Sequence, residues 1–231
     1  CLVGSEMCIR DSPKSVLATR LASGSVLIEA RSITVSGSGS MVYEGGNSLT
    51  IRTSSGSDLN IGAVSPAVNS GSFSVGGKLT LEAANMLHLN LAANAVLGGG
   101  AGVELIAGSE IRGGNSQGGA SSTGSINSAT GNVAATSNAT RIGGAVNATQ
   151  GSVLFTNRQS SPTGFTSDSA ISAGQDIIVR TTNSSAPVVL QQGSVQAGRD
   201  VVVESAQLFS SLGTGGVGVG AAITAGRDLL I

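Results

Sequence analysis

The chain has 231 residues, enough for one large domain or two small ones, with 40% hydrophobic residues but only 2% aromatic and as many as 35 Gly. An interior built from such a chain must use small aliphatic side chains and tight turns, because the usual aromatic bulk is missing. Twelve Lys plus Arg against 13 Asp plus Glu leave a formal charge of −1, which argues against nucleic-acid binding, and regularly spaced Val, Ile and Leu argue against disorder.

The opening CLVGSEMCIRDS (1–12) holds both cysteines, Cys1 and Cys8, so a disulfide scaffold is excluded. It resembles a translated sequencing adapter and is set apart as a non-native or disordered lead-in to a repeat domain over 13–231. It lacks the charged start and long apolar run of a signal peptide. The most apolar stretch, Leu91 to Gly108, contains Asn94, Glu104 and five Gly, so no membrane insertion is expected.

Along the repeat domain one nine-residue pattern recurs: apolar, any, small, Gly, polar, polar or charged, apolar, any, apolar. Graded copies are LIEARSITV (27–35), YEGGNSLTI (43–51), TSSGSDLNI (53–61), FSVGGKLTL (73–81) and LIAGSEIRG (105–113). The last three align without gaps as ISAGQDIIV (171–179), VQAGRDVVV (195–203) and ITAGRDLLI (223–231). Alternation at the seventh and ninth places puts two aliphatic side chains on one face of a strand. The eighth falls on the other face or at a crowded corner. The fourth-place Gly is read as a corner with positive φ, and Asp at the sixth as an acceptor for nearby backbone amides. Gly174, Asp176, Gly198, Asp200, Gly226 and Asp228 are thus expected to be structural turn positions.

The one helical candidate, LTLEAANMLHLNLAANAVL (79–97), alternates Leu87, Leu89, Leu91 in its second half and reads as strand. Between 113 and 168 large aliphatics thin out and Ser, Thr, Asn and Gly rise, predicting more irregular coils. There INSATGNVAAT (126–136) aligns with VNATQGSVLFT (146–156), and Gly131 and Gly151 fall at the same place of this second pattern. The four prolines, Pro13, Pro66, Pro162 and Pro187, fall outside the strand motifs. Pattern and residue types together predict an all-β parallel β-helix of roughly ten coils, about 50 Å long at about 4.8 Å per coil. Its last residue completes a repeat without a polar cap, so an uncapped fragment of something longer is expected.

The residues AGQDIIV, AGRDVVV and AGRDLLI resemble the haemagglutinin repeats of filamentous haemagglutinins, the exoproteins of two-partner secretion, and of contact-dependent inhibition stalks. The likeness is strong over 171–231 and weaker over 16–112. It implies a right-handed parallel β-helix on the bacterial surface, exported through an outer-membrane β-barrel transporter. The implied role is a structural stalk or adhesive segment that meets host or bacterial receptors or glycans, or presents a distal binding or toxin module. No cofactor and no catalysis are implied. Neither the secretion domain nor a toxin domain is recognisable in the chain.

Alternatives remain open. Stacked Asp176, Asp200 and Asp228 are also what a β-helical polysaccharide lyase or hydrolase would use, but the same motif place holds Ser48, Asp58, Lys78 and Glu110 elsewhere, as a turn position allows. An autotransporter passenger shares the fold and differs in export route. Arg199 and Arg227 beside the aspartates suit charge neutralisation better than receptor contact. His88 is the only histidine and is expected to point outward from a strand; no Cys or His partner supports a metal or a nucleophile. GTGGVG (213–218) matches a dinucleotide fingerprint by letter alone, with a strand repeat where the motif needs a helix. Sequons at Asn138, Asn147 and Asn183 are no more numerous than composition gives.

Overall fold

The computed structural model describes residues 7–8, 14–35, 40–62, 71–92, 94–113, 124–158, 164–182, 188–190, 193–205 and 222–231. They form an all-β parallel solenoid. Three sheets run its length, and every strand pair in them is parallel. Sheet I has nine strands, from Val26–Ala30 to Leu229–Leu230; sheet II has eight, from Met7–Cys8 to Val188–Leu190; sheet III has eight, from Met41–Tyr43 to Ala222–Ala225. Each turn visits I, then II, then III. The strand Met7–Cys8 belongs to the segment set apart above as a lead-in and pairs with Ile33 and Thr34.

The alternation in the motif becomes the core. The seventh-place residues Leu49, Leu79, Ile177 and Val201 stack in register along sheet I with Val103, Val133 and Val153, all buried. Ladders from sheets II and III meet them in a single hydrophobic cluster. No single turn could bury such a face; stacked turns do so continuously. Where the core thins at Ala135 and Thr140, the turn above supplies Phe155 and Phe165 in register with them. Their rings lie 4.6 Å apart, so bulk in one turn compensates for its absence in the next.

The coils are not uniform in length. The register step is as short as from Val133 to Val153 and as long as from Met41 to Phe73. The described strands stack eight or nine deep, which spans about 40 Å. The variation is not shared evenly. From sheet III to sheet I the connection hardly changes: Ile171 leads to Ile177, Val146 to Val153 and Met41 to Leu49. From I to II the chain runs as far as from Val153 to Phe165, and from II to III as far as from Ile111 to Ile126. In the turns whose three strands are all described, the long connections therefore border sheet II.

The helix α1, Lys14–Ser23, is an element that strand patterning does not predict. Its apolar residues Leu17, Ala18 and Leu21 pack on the first-turn end of the core, with Leu21 buried. Gly24 N–H donates to Arg20 O at 3.0 Å and ends the helix. The Asn47 side chain donates to Leu21 O at 2.7 Å. At this end the core is covered by α1 rather than left open. The expected helical ambiguity at 79–97 is resolved as the strands Lys78–Ala83, Leu87–Leu89 and Val96–Gly99.

Candidate functional site

The corner from sheet III to sheet I gathers most of the motif. Five of the eight nonapeptide copies turn here (43–51, 73–81, 171–179, 195–203, 223–231), and so do both copies of the middle pattern, 126–136 and 146–156. Those two sequence families are one structural corner, the middle one with a single extra residue between its strands. The other three copies (27–35, 53–61, 105–113) turn from sheet I to sheet II.

The fourth-place glycines are needed for a different reason from the one expected. Of them, only Gly56 has positive φ (68°); Gly174, Gly198 and Gly226 do not. A Cβ on Gly198 would lie 2.2 Å from Gly174 O, and one on Gly226 2.2 Å from Gly198 O. Successive corners are stacked too closely for any side chain to enter. At Gly76, Gly108, Gly174, Gly198 and Gly226 close approach, not φ, selects glycine, whereas a Cβ on fourth-place Gly46 or Gly56 would meet nothing within 4 Å.

Immediately before the sheet I strand, which is the sixth place of the nonapeptide, a side-chain oxygen accepts the backbone N–H of the same place one coil later. Ser25 Oγ accepts from Ser48 N and Ser48 Oγ from Lys78 N, both at 3.1 Å. Further on, Asn132 Oδ1 accepts from Ser152 N, Ser152 Oγ from Asp176 N, Asp176 Oδ1 from Asp200 N and Asp200 Oδ1 from Asp228 N, at 2.9 to 3.3 Å. The aspartates thus join coil to coil rather than closing their own turn. Arg199 clamps Asp176 with two bonds, Nε to Oδ1 at 3.0 Å and Nη2 to Oδ2 at 2.5 Å, and Arg227 clamps Asp200 through the same atoms.

These clamps decide what the acids can do. The Arg199 hydrogen bond beside Asp176 holds that carboxyl below the usual range, against a smaller opposing effect of burial, and Arg227 does the same for Asp200. Their partners Arg199 and Arg227 are raised, chiefly through the same bonds. Glycoside hydrolysis by a pair of acids requires one that is protonated, with its pKa raised. Asp176 and Asp200 are pushed the other way. Asp228 lies 3.3 Å from Arg227 and is largely exposed.

The outward column of sheet II runs Asn60, His88, Arg112, Arg141, Thr166 in register. His88 Nε2 is 3.6 Å from Asp58 Oδ2, beyond hydrogen-bond reach, while Asp58 Oδ1 accepts from Asn85 Nδ2 at 2.8 Å and from Met86 N at 3.1 Å. Glu110 binds Arg112 through both oxygens, and Asp168 lies 3.8 Å from Arg141. Sequence reading missed this column because its members sit one coil apart and the coils differ in length. Only the pairing register brings them together. Among the described residues no group of three His, Cys, Asp or Glu could hold a metal ion.

Inside the solenoid, where 113–168 loses aliphatics, a polar cluster replaces them. Ser137 Oγ and Thr140 Oγ1 lie 2.8 Å apart, and Thr140 Oγ1 donates to Asn157 Oδ1 at 2.9 Å. Thr181 stacks in register above Asn157. Of the sequons, Asn147 lies on the outward side of sheet III, in register with Asn127 and Ser172. Asn138 donates to Gly108 O while its Thr140 is buried. Asn183 and the Gly-rich 213–218 lie outside the described residues.

The fold and its corner define the chain as a parallel β-solenoid held together by backbone and side-chain ladders from coil to coil. No protein-family model, no curated protein and no solved structure matches it. No helix among the described residues is long and apolar enough to cross a membrane.

Proposed function

We propose that this chain is a stalk segment of a large secreted bacterial surface protein of the filamentous-haemagglutinin type. Its solenoid is right-handed and has roughly ten coils. The rod projects a distal binding or toxin module, or offers its own sides for adhesion to host or bacterial receptors or glycans. Export runs through an outer-membrane β-barrel transporter that reads a domain elsewhere in the protein. The observation that carries this reading is the constant III-to-I corner. Six successive contacts in two runs, Ser25 to Lys78 and Asn132 to Asp228, dock one coil on the next through the same kind of bond, so the unit can be repeated to make length. The arginine clamps on Asp176 and Asp200 fit a cohesive role for the acids better than a hydrolytic one.

Beads coated with the 231-residue chain should be retained by bacterial or epithelial layers above beads carrying a globular control, and small-angle scattering should give a rod. Release of unsaturated or reducing sugars from uronate polymers, abolished by replacing Asp176, Asp200 and Asp228 with Asn, would instead establish a lyase or hydrolase.

A further inference from the structure

The eighth place of the three best motif copies is Ile178, Val202 and Leu230, and nothing in the core explains why it is aliphatic. These side chains point away from the interior. With Leu154 they stack in register on the outward face of sheet I, one per coil. Leu154, Ile178 and Val202 are half-buried by their neighbours, and Leu230 is 57% exposed. The other two outward faces differ at the same level. Sheet III carries Ser172, Gln196 and Thr224, and sheet II carries Thr166 below Val189. A continuous aliphatic stripe on one solvent-facing sheet marks an interaction surface.

The charges beside the stripe say what fits it. Two residues along the same strands, Arg180 and Glu204 form a bidentate pair at 2.8 and 3.2 Å, with about half of each side chain exposed. We infer that the stripe is the contact face for a second copy of this chain, packed face to face with its rod axis reversed. A two-fold axis parallel to the strands, midway between Ile177–Thr181 and Val201–Glu204, sets Ile178 against the partner's Val202. The same axis sets Leu154 against Leu230 and Arg180 against Glu204. One axis thus satisfies both the apolar and the charged column. A two-fold along the rod would place the two copies of Arg180 at one level. The described III-to-I connections beside sheet I are short, from Ile171 to Ile177 and from Val195 to Val201.

Four coils span only about 14 Å at about 4.8 Å each, so a stripe one side chain wide buries far less than the about 800 Å² per partner of a standard interface. The contact is therefore weak and reversible, and it strengthens when many coils engage together.

Sedimentation velocity of the 231-residue chain over a concentration series should show a reversible monomer–dimer equilibrium. Ile178→Lys and Val202→Lys should each shift it to monomer, whereas Gln196→Lys on sheet III should leave it unchanged. Circular dichroism verifies the fold of each, and Ile178→Thr serves if the lysine variant unfolds. In a Cys1→Ser/Cys8→Ser background, mixed Ile178→Cys and Val202→Cys chains should form the hetero-disulfide over either homo-disulfide. A wild-type chain that stays monomeric throughout overturns the inference. So does an equal effect of Gln196→Lys, a preference for homo-disulfides, or flotation with phospholipid vesicles in place of self-association.

Discussion

Replacing Gly198 with Ala tests the close stacking of corners directly. The added Cβ would lie 2.2 Å from Gly174 O and 3.0 Å from its carbon, inside the 3.4 Å at which ordinary contact begins. The corner must therefore rise by most of an ångström. Gly198 N–H donates to Ala173 O and Arg199 N–H to Gln175 O, both at 2.9 Å, and that movement stretches both bonds. Overpacking costs about 1–3 kcal/mol and each weakened bond about 1 kcal/mol, so a loss of roughly 2–4 kcal/mol is expected. The control is Gly46→Ala, whose Cβ meets nothing within 4 Å; it should be neutral or stabilising by about 0.4–1 kcal/mol. Gly198→Asn separates the two explanations for glycine: a left-handed backbone would tolerate Asn better than Ala, whereas a steric limit makes it no better. Urea unfolding followed by circular dichroism reads all three. A Gly198→Ala chain as stable as the parent, or rescue by Asn, would refute the close-approach account.

Other outcomes follow from the same geometry. Asp176 and Asp200 have folded pKa values below their unfolded ones, so the stability they contribute is present above the ordinary carboxylate range and is lost as pH falls through the lower folded values. Arg199→Gln and Arg227→Gln should flatten that acid limb in a pH series of melting temperatures, and high salt should do so in part, because the arginines are exposed. Phe155→Ala should cost about 3–5 kcal/mol in chemical denaturation, since it empties a fully buried site against Phe165. Thr140→Val should cost about 1–3 kcal/mol by leaving buried Asn157 Oδ1 without its donor, and Thr140→Val/Asn157→Leu should recover part of that loss. Deleting residues 153–176 joins Ser152 to Ile177, which is the register partner of Val153. The shortened chain should fold with an unchanged β spectrum, whereas deletion of half that length should not.

The strands were legible because period-two alternation has one physical meaning, an inward and an outward face. Leu49, Leu79 and Ile177 could be placed in the core from their neighbours alone. The corner was legible as a pattern but not as a cause. The letters AGQD and AGRD look the same whether glycine answers to a torsion angle or to the carbonyl of another coil. That distinction lives in contacts between coils, from Gly174 to Gly198 and from Gly198 to Gly226. α1 escaped because ten residues with Leu17 and Leu21 on one side give too short a period to stand out. The sheet II column and the aliphatic stripe escaped for a shared reason. Both are properties of register, and register depends on the length of every connection between His88 and Arg141, or between Leu154 and Leu230.

The same geometry explains where the chain varies. At the III-to-I corner the fourth-place backbone sits against the carbonyl of the coil below, and the sixth-place side chain is bonded to the coil above. An extra residue there would have to enter a stack with no free height, and it would break two ladders in each direction. The departures that occur are small: one added residue in the middle pattern, with Asn132 and Ser152 still bonded to the following coil, and two between Met41 and Leu49, with Ser48 still bonded to Lys78. At the other two corners the described side-chain ladders are shorter, as from Ser40 to Ser72 to Val96 and from Asp58 to Met86. Connections as long as Val153 to Phe165 and Ile111 to Ile126 are absorbed there without disturbing the stack. Both of those corners flank sheet II. A rod built in this way divides its labour by edge: one corner fixes the rise and cannot change, and the two that border sheet II are where length, and with it surface chemistry, can be altered at little cost to the fold.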